Sequence, residues 1–217
     1  MLDASLLLDP LVLRPIEIIA IMVAAFSGFA EAQRKKMDVV GLYTVAFITA
    51  FGGGTLRDIL LDRRPLFWVE HQEYALLVFA LSLVALPVMR LFKQLVSMWM
   101  IVLADAVGMG LFSVSATALS LQLGFTAFVS IMMGVITGCF GGVLRDIICN
   151  EVPMILRDGK PYAICAFVGC GLYVGLSRLQ VASDTALVVA VLVILLSRMI
   201  AWRKQWQFAT VWRSDDR

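Results

Sequence analysis

Two copies of one short phrase contain the residues of this chain that could bind small ions. Residues 49–59 read TAFGGGTLRDI, and residues 137–147, 88 positions later, read TGCFGGVLRDI. Each copy places adjacent glycines inside an apolar segment and follows them with an Arg-Asp pair. Two helices interrupted at matching positions of two repeats are typical of a binding site near the middle of a membrane.

The glycines are predicted to break the two helices, and a break inside a bilayer has chemical consequences. Unsatisfied backbone groups are costly in lipid, so the breaks are expected to face protein or a water-filled cavity. Carbonyls released before the glycines form a partial negative pole, and with threonine hydroxyls they are oxygen ligands suited to Na⁺ or K⁺. Amides released after the glycines would instead favour an anion. The predicted ion-path residues are Thr49, Gly52, Gly53, Gly54, Thr55, Thr137, Gly141 and Gly142.

Close packing of helices is the alternative explanation for these glycines, because small residues spaced by four let two helices approach each other. The duplication of the phrase favours the ion path. Both roles are compatible, since the two segments must cross closely to share a site. The small residues at this spacing are Ala46, Ala50 and Gly54 in the first copy and Gly134, Gly138 and Gly142 in the second.

Five charged residues are candidates for gate or clamp residues near the two mouths of a path, or for structural ion pairs: Arg57, Asp58, Asp105, Arg145 and Asp146. A bare arginine in hydrocarbon costs at least about 2.5–3.5 kcal/mol, so each arginine is expected to face protein or water. Adjacent residues on a helix do not face each other. We therefore predict that Arg57 pairs with another helix, through Asp105, Glu31 or a carboxylate of the opposite copy, rather than with its neighbour.

The composition indicates an integral membrane protein. Hydrophobic residues make up 61% of the 217 residues and charged residues 16%, against about 45–50% and about 25% in soluble domains. The net charge of +2, without a dense basic run, argues against a nucleic-acid partner. The sequence contains no recognisable nucleophile–base pair, metal-ligand cluster or phosphate-binding fingerprint. We therefore expect a protein that is not an enzyme, with no cofactor and no structural metal.

Seven apolar segments predict an all-α membrane protein with seven transmembrane helices in one membrane domain, residues 1–217. About 20 apolar residues are enough to cross a bilayer, and the uncharged stretch 106–144 is long enough to contain a tight turn, expected near residues 120–124. The predicted spans cover residues 16–32, 38–62, 74–89, 97 to that turn, 125–149, 162–176 and 185–202.

These spans group as a repeat over 16–93, a second repeat over 97–178 and a seventh helix over 185–203. Residues 204–217 form a basic and aromatic tail suited to the cytoplasmic membrane interface. Because three spans are an odd number, the second repeat enters the membrane from the opposite side. The two repeats are therefore predicted to be inverted.

The basic residues of the loops predict the orientation, because cytoplasmic loops carry an excess of lysine and arginine. The richer side places the C-terminus in the cytoplasm and the N-terminus outside, and its cluster Arg34, Lys35 and Lys36 is expected to attract anionic lipid headgroups. The richer side holds Arg34, Lys35, Lys36, Arg90, Lys93, Arg157, Lys160, Arg203, Lys204 and Arg213, and the other side holds Arg14, Arg63, Arg64 and Arg178.

The repeated phrase and the three-plus-three-plus-one layout resemble the prokaryotic TRIC (trimeric intracellular cation) channel family, whose bacterial members are also labelled glycine transporter domain proteins. The resemblance covers about residues 16–202. It implies a homotrimer in the bacterial inner membrane, with an hourglass pore in each subunit between the second and fifth spans that passes K⁺ and Na⁺. Phe140 stands where the first copy has Gly52. Gly142, Val143 and Leu144 stand where animal relatives carry Lys-Glu-Val, so their calcium and voltage regulation is not carried over.

Two functions of different kinds fit these residues. A passive cation channel is favoured by the paired carbonyl ends with their threonines. A secondary transporter of glycine or another small zwitterion is the alternative, because many transporters share inverted repeats with broken helices. Unitary K⁺ currents without an organic solute would indicate the channel, and saturable glycine uptake without such currents would indicate the carrier.

Overall fold

A computed structural model describes residues 10–91, 97–156 and 161–206. Within these residues the fold is all-α, with eight α-helices and one short 3₁₀ turn at Met154–Leu156. The helices are α1 Pro10–Arg34, α2 Val39–Leu60, α3 Phe67–Glu70, α4 Gln72–Leu91, α5 Met98–Gln122, α6 Ala127–Ile148, α7 Tyr162–Arg178 and α8 Ser183–Arg203.

Five of these helices, α1, α2, α5, α6 and α8, are long and apolar enough to cross a membrane. Helices α4 and α7 contain shorter apolar stretches, and the seven longer helices fall in order on the seven predicted segments. The four-residue helix α3 in the loop after α2 was not predicted. The chain is an all-α, multi-pass membrane protein.

Local sequence signals explain where the central helices begin and end. Asp38 caps α2, because its Oδ1 accepts a hydrogen bond from the backbone N–H of Gly41 at 2.8 Å. Such a side-chain cap satisfies one of the free amides of a first helical turn. Helix α5 ends at Gln122, and Gly124 follows with φ +83°, a left-handed conformation that suits glycine. The tight turn predicted near residues 120–124 is confirmed.

The prediction that the second and fifth spans are broken at their glycines is wrong. These spans are α2 and α6, and both are α-helical through residues 52–54 and 141–142. A glycine inside a helix costs only about 0.5–1 kcal/mol relative to alanine, whereas each backbone group left unpaired in lipid costs several kcal/mol. Continuous helices are therefore the cheaper solution, and the carbonyls of residues 49–51 are not released by a break.

Helices α2 and α6 pack against each other at the middle of the bundle. Helix α1 packs along α2 and α5, and α5 packs along α6, so these four helices surround the crossing. The remaining helices α4, α7 and α8 pack outside this group, with α4 against α2 and α8 against α5 and α7. Of the basic residues used to predict orientation, Lys93, Arg157, Lys160 and Arg213 lie outside the described residues, as does most of the tail 204–217.

Candidate functional site

The two copies of the phrase meet where α2 crosses α6, and they meet reciprocally. The carbonyl oxygen of Thr137 occupies the space that a Cβ atom on Gly53 would need. In the same way, the carbonyl oxygen of Thr49 occupies the space of a Cβ atom on Gly141. Both pairs are related by the 88-residue offset. Only glycine permits such an approach, and a Cα–H pointing at a carbonyl is a recurrent contact between closely packed helices.

The three glycines of the first copy therefore have three different environments. Gly53 forms the crossing, whereas a methyl group on Gly52 would meet Leu144 of α6 at 2.7 Å. A methyl group on Gly54 would meet only the Nη2 atom of Arg57, at 4.0 Å. Close packing, the alternative explanation of the glycines, accounts for Gly52, Gly53 and Gly141, and Gly54 is left beside open space.

Thr49 and Thr137 place two hydroxyl groups beside the crossing. The hydroxyl of Thr49 donates to the carbonyl of Val45 at 2.6 Å, and the hydroxyl of Thr137 donates to the carbonyl of Met133 at 2.7 Å. Since each hydroxyl has already used its only hydrogen, the lone pairs of its oxygen are what it offers to a water or a cation. Both threonines keep the oxygen chemistry predicted for them, without the released carbonyls.

A small cavity, the Asp105 cavity, lies at the crossing. Its volume is about 20 Å³, which holds roughly one water molecule. Thr55 and Gly52 do not line it. Its walls are Ala24, Ser27, Thr49, Ala50, Gly53, Gly54, Ala104, Asp105, Gly108, Met109, Phe112, Thr137, Gly138, Gly141 and Gly142.

A second cavity, the Glu17 cavity, adjoins the first and shares Ala50, Gly54 and Phe112 with it. Its volume is about 30 Å³, enough for about two water molecules. The lining comes from α1, α2 and α5 and from the segment containing α3. Its walls are Ile16, Glu17, Ala20, Ala50, Phe51, Gly54, Thr55, Arg57, Phe67, Trp68, Phe112 and Ser115.

Arg145 lies beside the Asp105 cavity in a dense polar cluster. Its side chain is 1% exposed and binds Asp146 Oδ1 through Nε at 2.9 Å. Its Nη1 donates to Asp105 Oδ1 at 3.0 Å and to Ser27 Oγ at 2.6 Å. The hydroxyl of Tyr162 donates to Asp105 Oδ2 at 2.8 Å. Asp105 is thus the partner of one of the two arginines, as its structural interpretation predicted, and the buried charges are paired as low-dielectric surroundings require.

Arg57 contradicts the prediction that it pairs with another helix. Its Nε donates to Oδ1 of the adjacent Asp58 at 2.8 Å, and Nη2 lies 2.7 Å from the same oxygen without forming a well-oriented hydrogen bond. Arg145 does the same with Asp146 and adds a partner on α5. The rule that neighbours point apart holds for Cβ atoms, but the long arginine stem turns back far enough to reach the next carboxylate.

Both aspartates of the phrase also hold the loop that follows their helix. Asp58 Oδ2 accepts from the backbone N–H of Phe67 at 2.8 Å, and Asp146 Oδ2 accepts from the N–H of Met154 at 2.8 Å. Each Arg-Asp pair therefore joins its helix end to the loop beyond it.

The basic cluster Arg34, Lys35 and Lys36 is only partly available to a lipid. Arg34 binds Glu31 at 2.8 Å, and Lys35 binds Glu151 in the loop after α6. All three residues are exposed, and Lys36 lies in the left-handed turn between α1 and α2. Glu31, one candidate partner for Arg57, is therefore occupied by Arg34.

The sequence analysis missed Glu17, Ser27 and Tyr162. The 88-residue offset could have found them, because it relates Glu17 to Asp105 and Tyr74 to Tyr162. Each pair keeps its chemical type, a carboxylate or a phenol. The same offset relates Ser27 of α1 to Ser115 of α5, so it could have found this residue as well.

The fold, the glycines at the α2–α6 crossing and the paired charges beside it define a multi-pass helical membrane protein with a duplicated Gly-Arg-Asp phrase. The chain belongs to the family described as Glycine transporter, whose model matches residues 15–90 and 102–178, with one copy of the phrase in each match.

Relatives of the chain are membrane proteins. A UPF0126 membrane protein from Vibrio cholerae is 34% identical over 201 residues, which cover 93% of this chain and 83% of the relative. The UPF0126 inner membrane protein YadS from Escherichia coli K12 is 32% identical over 192 residues, which cover 87% of this chain and 90% of the relative.

Solved structures of TRIC channels share the fold. A TRIC cation channel whose structure addressed conductance matches with a TM-score of 0.81 and 32% identity, covering 92% of this chain and 97% of that one. The trimeric intracellular cation channel orthologue from Rhodobacter sphaeroides matches with a TM-score of 0.82 and 31% identity, covering 90% and 99%. The chain is therefore a homologue of prokaryotic TRIC cation channels over about nine tenths of its length, and the predicted resemblance is confirmed. Channels make and break no covalent bonds, so this homology places the chain outside the enzymes.

Proposed function

We propose that the protein is a passive channel for K⁺ and Na⁺ whose path runs through the Glu17 and Asp105 cavities. The observation that carries the proposal is this pair of adjoining cavities at the α2–α6 crossing of a TRIC homologue, each with one carboxylate in its wall. The path is walled by α1 and α5 as well as by α2 and α6. In this state it is occluded, since the two cavities together hold only a few water molecules.

The charges along this path suit cations. Glu17 lines one cavity and Asp105 the other, and carboxylates along a pore favour cations. The two arginines do not cancel this effect. Each is bound to the aspartate beside it, and Arg145 also shares Asp105. The oxygens of Thr49 and Thr137 supply further neutral ligands at the crossing.

Phe112 lines both cavities and is the bulkiest of the three residues that they share, so we infer that it separates them. A bulky apolar ring at a narrow point blocks ions by excluding water. We infer that opening requires this ring to move away from Ala50 and Gly54. The position equivalent to Phe112 in the first repeat is Ala24, so the obstruction is built by one repeat alone.

The finer architecture follows from the same homology. We propose two inverted repeats, 16–93 and 97–178, a seventh helix at 185–203 and the tail 204–217, in one domain of the bacterial inner membrane, with the N-terminus outside and the C-terminus in the cytoplasm. We propose a homotrimer with one path in each subunit, surrounded by membrane lipids, because the R. sphaeroides orthologue is described as trimeric. Light scattering of the detergent-solubilised protein, corrected for detergent, tests the number of subunits.

The zwitterion carrier has one point in its favour, the description of the family as Glycine transporter. The continuous helices weaken it, since α2 and α6 have no free amide ends at their glycines to hold a carboxylate. Each cavity is also too small for glycine in this state.

Recordings from purified protein in planar bilayers with asymmetric KCl test the proposal. We expect unitary steps that reverse near the K⁺ equilibrium potential and do not require glycine. Phe112→Ala is expected to raise the unitary conductance, whereas Phe128→Ala, at a phenylalanine 65% exposed on the outside of α6, is expected to leave it unchanged. Saturable glycine uptake into liposomes without unitary currents would contradict the channel.

A further inference from the structure

Arg198 is a buried cation that neither repeat supplies. It lies on α8, which follows both repeats, and is 2% exposed. Within the described parts of the chain no carboxylate lies in ion-pair distance of it, and its Nε atom forms no hydrogen bond there. Its guanidinium instead lies 4.4 Å from the centre of the Tyr162 ring, and its Nη2 lies 3.8 Å from the sulfur of Met154.

The tyrosine under this guanidinium lies directly behind the wall of the proposed path, because its hydrogen-bond partner Asp105 lines the Asp105 cavity. Tyr162 donates to Asp105, and Asp105 accepts from Arg145. A methyl group on Gly142 would meet the Tyr162 hydroxyl at 3.1 Å and Asp105 Oδ1 at 3.3 Å. The phenol and the carboxylate therefore close over Gly142 at the end of the Asp105 cavity.

The contacts continue from there around a closed ring. Arg145 binds Asp146, and Asp146 accepts from the backbone N–H of Met154. Met154 then contacts Arg198, which returns the chain of contacts to Tyr162. Arg198 is the member of this ring that ties it to α8.

We propose that Arg198 is a positioning residue that holds Tyr162 over Gly142 and so keeps this end of the path closed. The inference rests on the proposed channel function. A cation stacked on a desolvated aromatic ring resists displacement of that ring. Movement of α8 that withdraws the guanidinium frees Tyr162 to turn, and Asp105 then loses one of its hydrogen bonds. Helix α8 thereby sets the fraction of time that the path is open.

Arg198 does not line either cavity, so the proposal separates gating from permeation. Removing it is expected to change open probability and leave the unitary conductance unchanged. A purely structural role would instead lower thermal stability or trimer yield and leave the open probability of the surviving channels as it was.

Single-channel recording of Arg198→Met, Arg198→Lys and Tyr162→Phe tests the proposal. Arg198→Met is expected to raise open probability by roughly five- to tenfold, the change expected for losing one buried cation–π contact. Arg198→Lys keeps a cation over the ring and is expected to stay closer to the wild type. Tyr162→Phe keeps the ring but loses the hydrogen bond to Asp105, and is expected to raise open probability as well.

Controls and contrary outcomes are defined by the same recordings. Arg203→Met removes a cation from an exposed site on the same helix and is expected to change nothing. The double variant of Arg198→Met with Tyr162→Phe is expected to have an open probability no higher than that of the more open single variant, because both substitutions act on the same chain of contacts. If Arg198→Met does not fold, the open probabilities of Arg198→Lys and Tyr162→Phe test the proposal instead. Wild-type currents with unchanged open probability in the variants would overturn this inference alone, whereas a wild type without currents would overturn the channel proposal and this inference together.

Discussion

The two Arg-Asp pairs of this protein share a sequence phrase but differ in their surroundings. Arg145 is 1% exposed and bridges Asp146, Asp105 and Ser27, so that it ties α6 to α5 and α1. Arg57 is 9% exposed and is bound by Asp58, with the ring of Phe67 6.0 Å from its guanidinium. One arginine is a junction between three helices, and the other is held by its own neighbour.

This difference shows that a duplicated phrase determines the backbone crossing more strictly than the charge network around it. The crossing itself is reciprocal, with Gly53 against Thr137 and Gly141 against Thr49. The network on one side is completed by Tyr162, which α8 holds from outside the repeats through Arg198. Helix α8, which follows both repeats, therefore adds to the asymmetry of the site.

The strongest test of the comparison removes each arginine in turn. Arg145→Met leaves Asp105 and Asp146 buried without their cation, which is expected to destabilise the fold by about 3–5 kcal/mol. Arg57→Met leaves one carboxylate, that of Asp58, and is expected to cost less. Thermal unfolding of both variants in the same detergent measures which variant loses more stability. Equal losses would show that the two networks are energetically equivalent despite their geometry.

The next test addresses the crossing, where the two copies should behave alike. Gly53→Ala and Gly141→Ala each drive a methyl group into a backbone carbonyl, and such overpacking typically costs about 1–3 kcal/mol. Gly54→Ala is the matched control on the same helix, because its methyl group meets only Arg57 Nη2 at 4.0 Å. Thermal unfolding is expected to separate the first two variants from the third. A Gly54→Ala variant as unstable as Gly53→Ala would contradict the close crossing.

The long helices could be predicted because a bilayer demands about 20 apolar residues per crossing. Their order and most of their ends follow from that requirement and from turn residues such as Gly124. The first helix is an exception, since it begins at Pro10 rather than near residue 16. The glycines were misread because adjacent glycines suit both a break and a close approach. Which of the two occurs depends on whether another helix crosses there, and that contact is not local in sequence.

The charged site could be predicted only in its composition. The five acidic and basic residues singled out from the sequence do lie in two clusters, and Asp105 does bind an arginine. The predicted partner of Arg57 was wrong, because a rule based on Cβ direction ignores the length of the arginine side chain. The contribution of α8 could not be foreseen, since nothing in the repeat pattern points to Arg198.

A milder test compares the equivalent positions 54 and 142. Gly142→Ala places its methyl group 3.1 Å from the Tyr162 hydroxyl and 3.3 Å from Asp105 Oδ1, so these two groups must shift slightly. We expect a loss of about 1 kcal/mol in stability and a change in open probability. Gly54→Ala is expected to stay within about 0.5 kcal/mol of the wild type. Unfolding and single-channel recording together check this, and identical behaviour of the two variants would show that the polar cluster does not restrain Gly142.

The smallest expected effect concerns the two carboxylates at equivalent positions 17 and 105. Glu17 is only partly buried and lines its cavity, so Glu17→Gln is expected to lower K⁺ conductance without a large change in stability. A single charge acting through water over several ångströms contributes about 0.5 kcal/mol, or roughly a twofold change. Asp105→Asn is expected to cost stability as well, because it leaves Arg145 with one carboxylate fewer. Recordings at low and high KCl check the origin of the effect, since screening by salt is expected to shrink the Glu17→Gln difference. A difference that persists undiminished at high salt would show that Glu17 acts by direct contact with the ion rather than by its field.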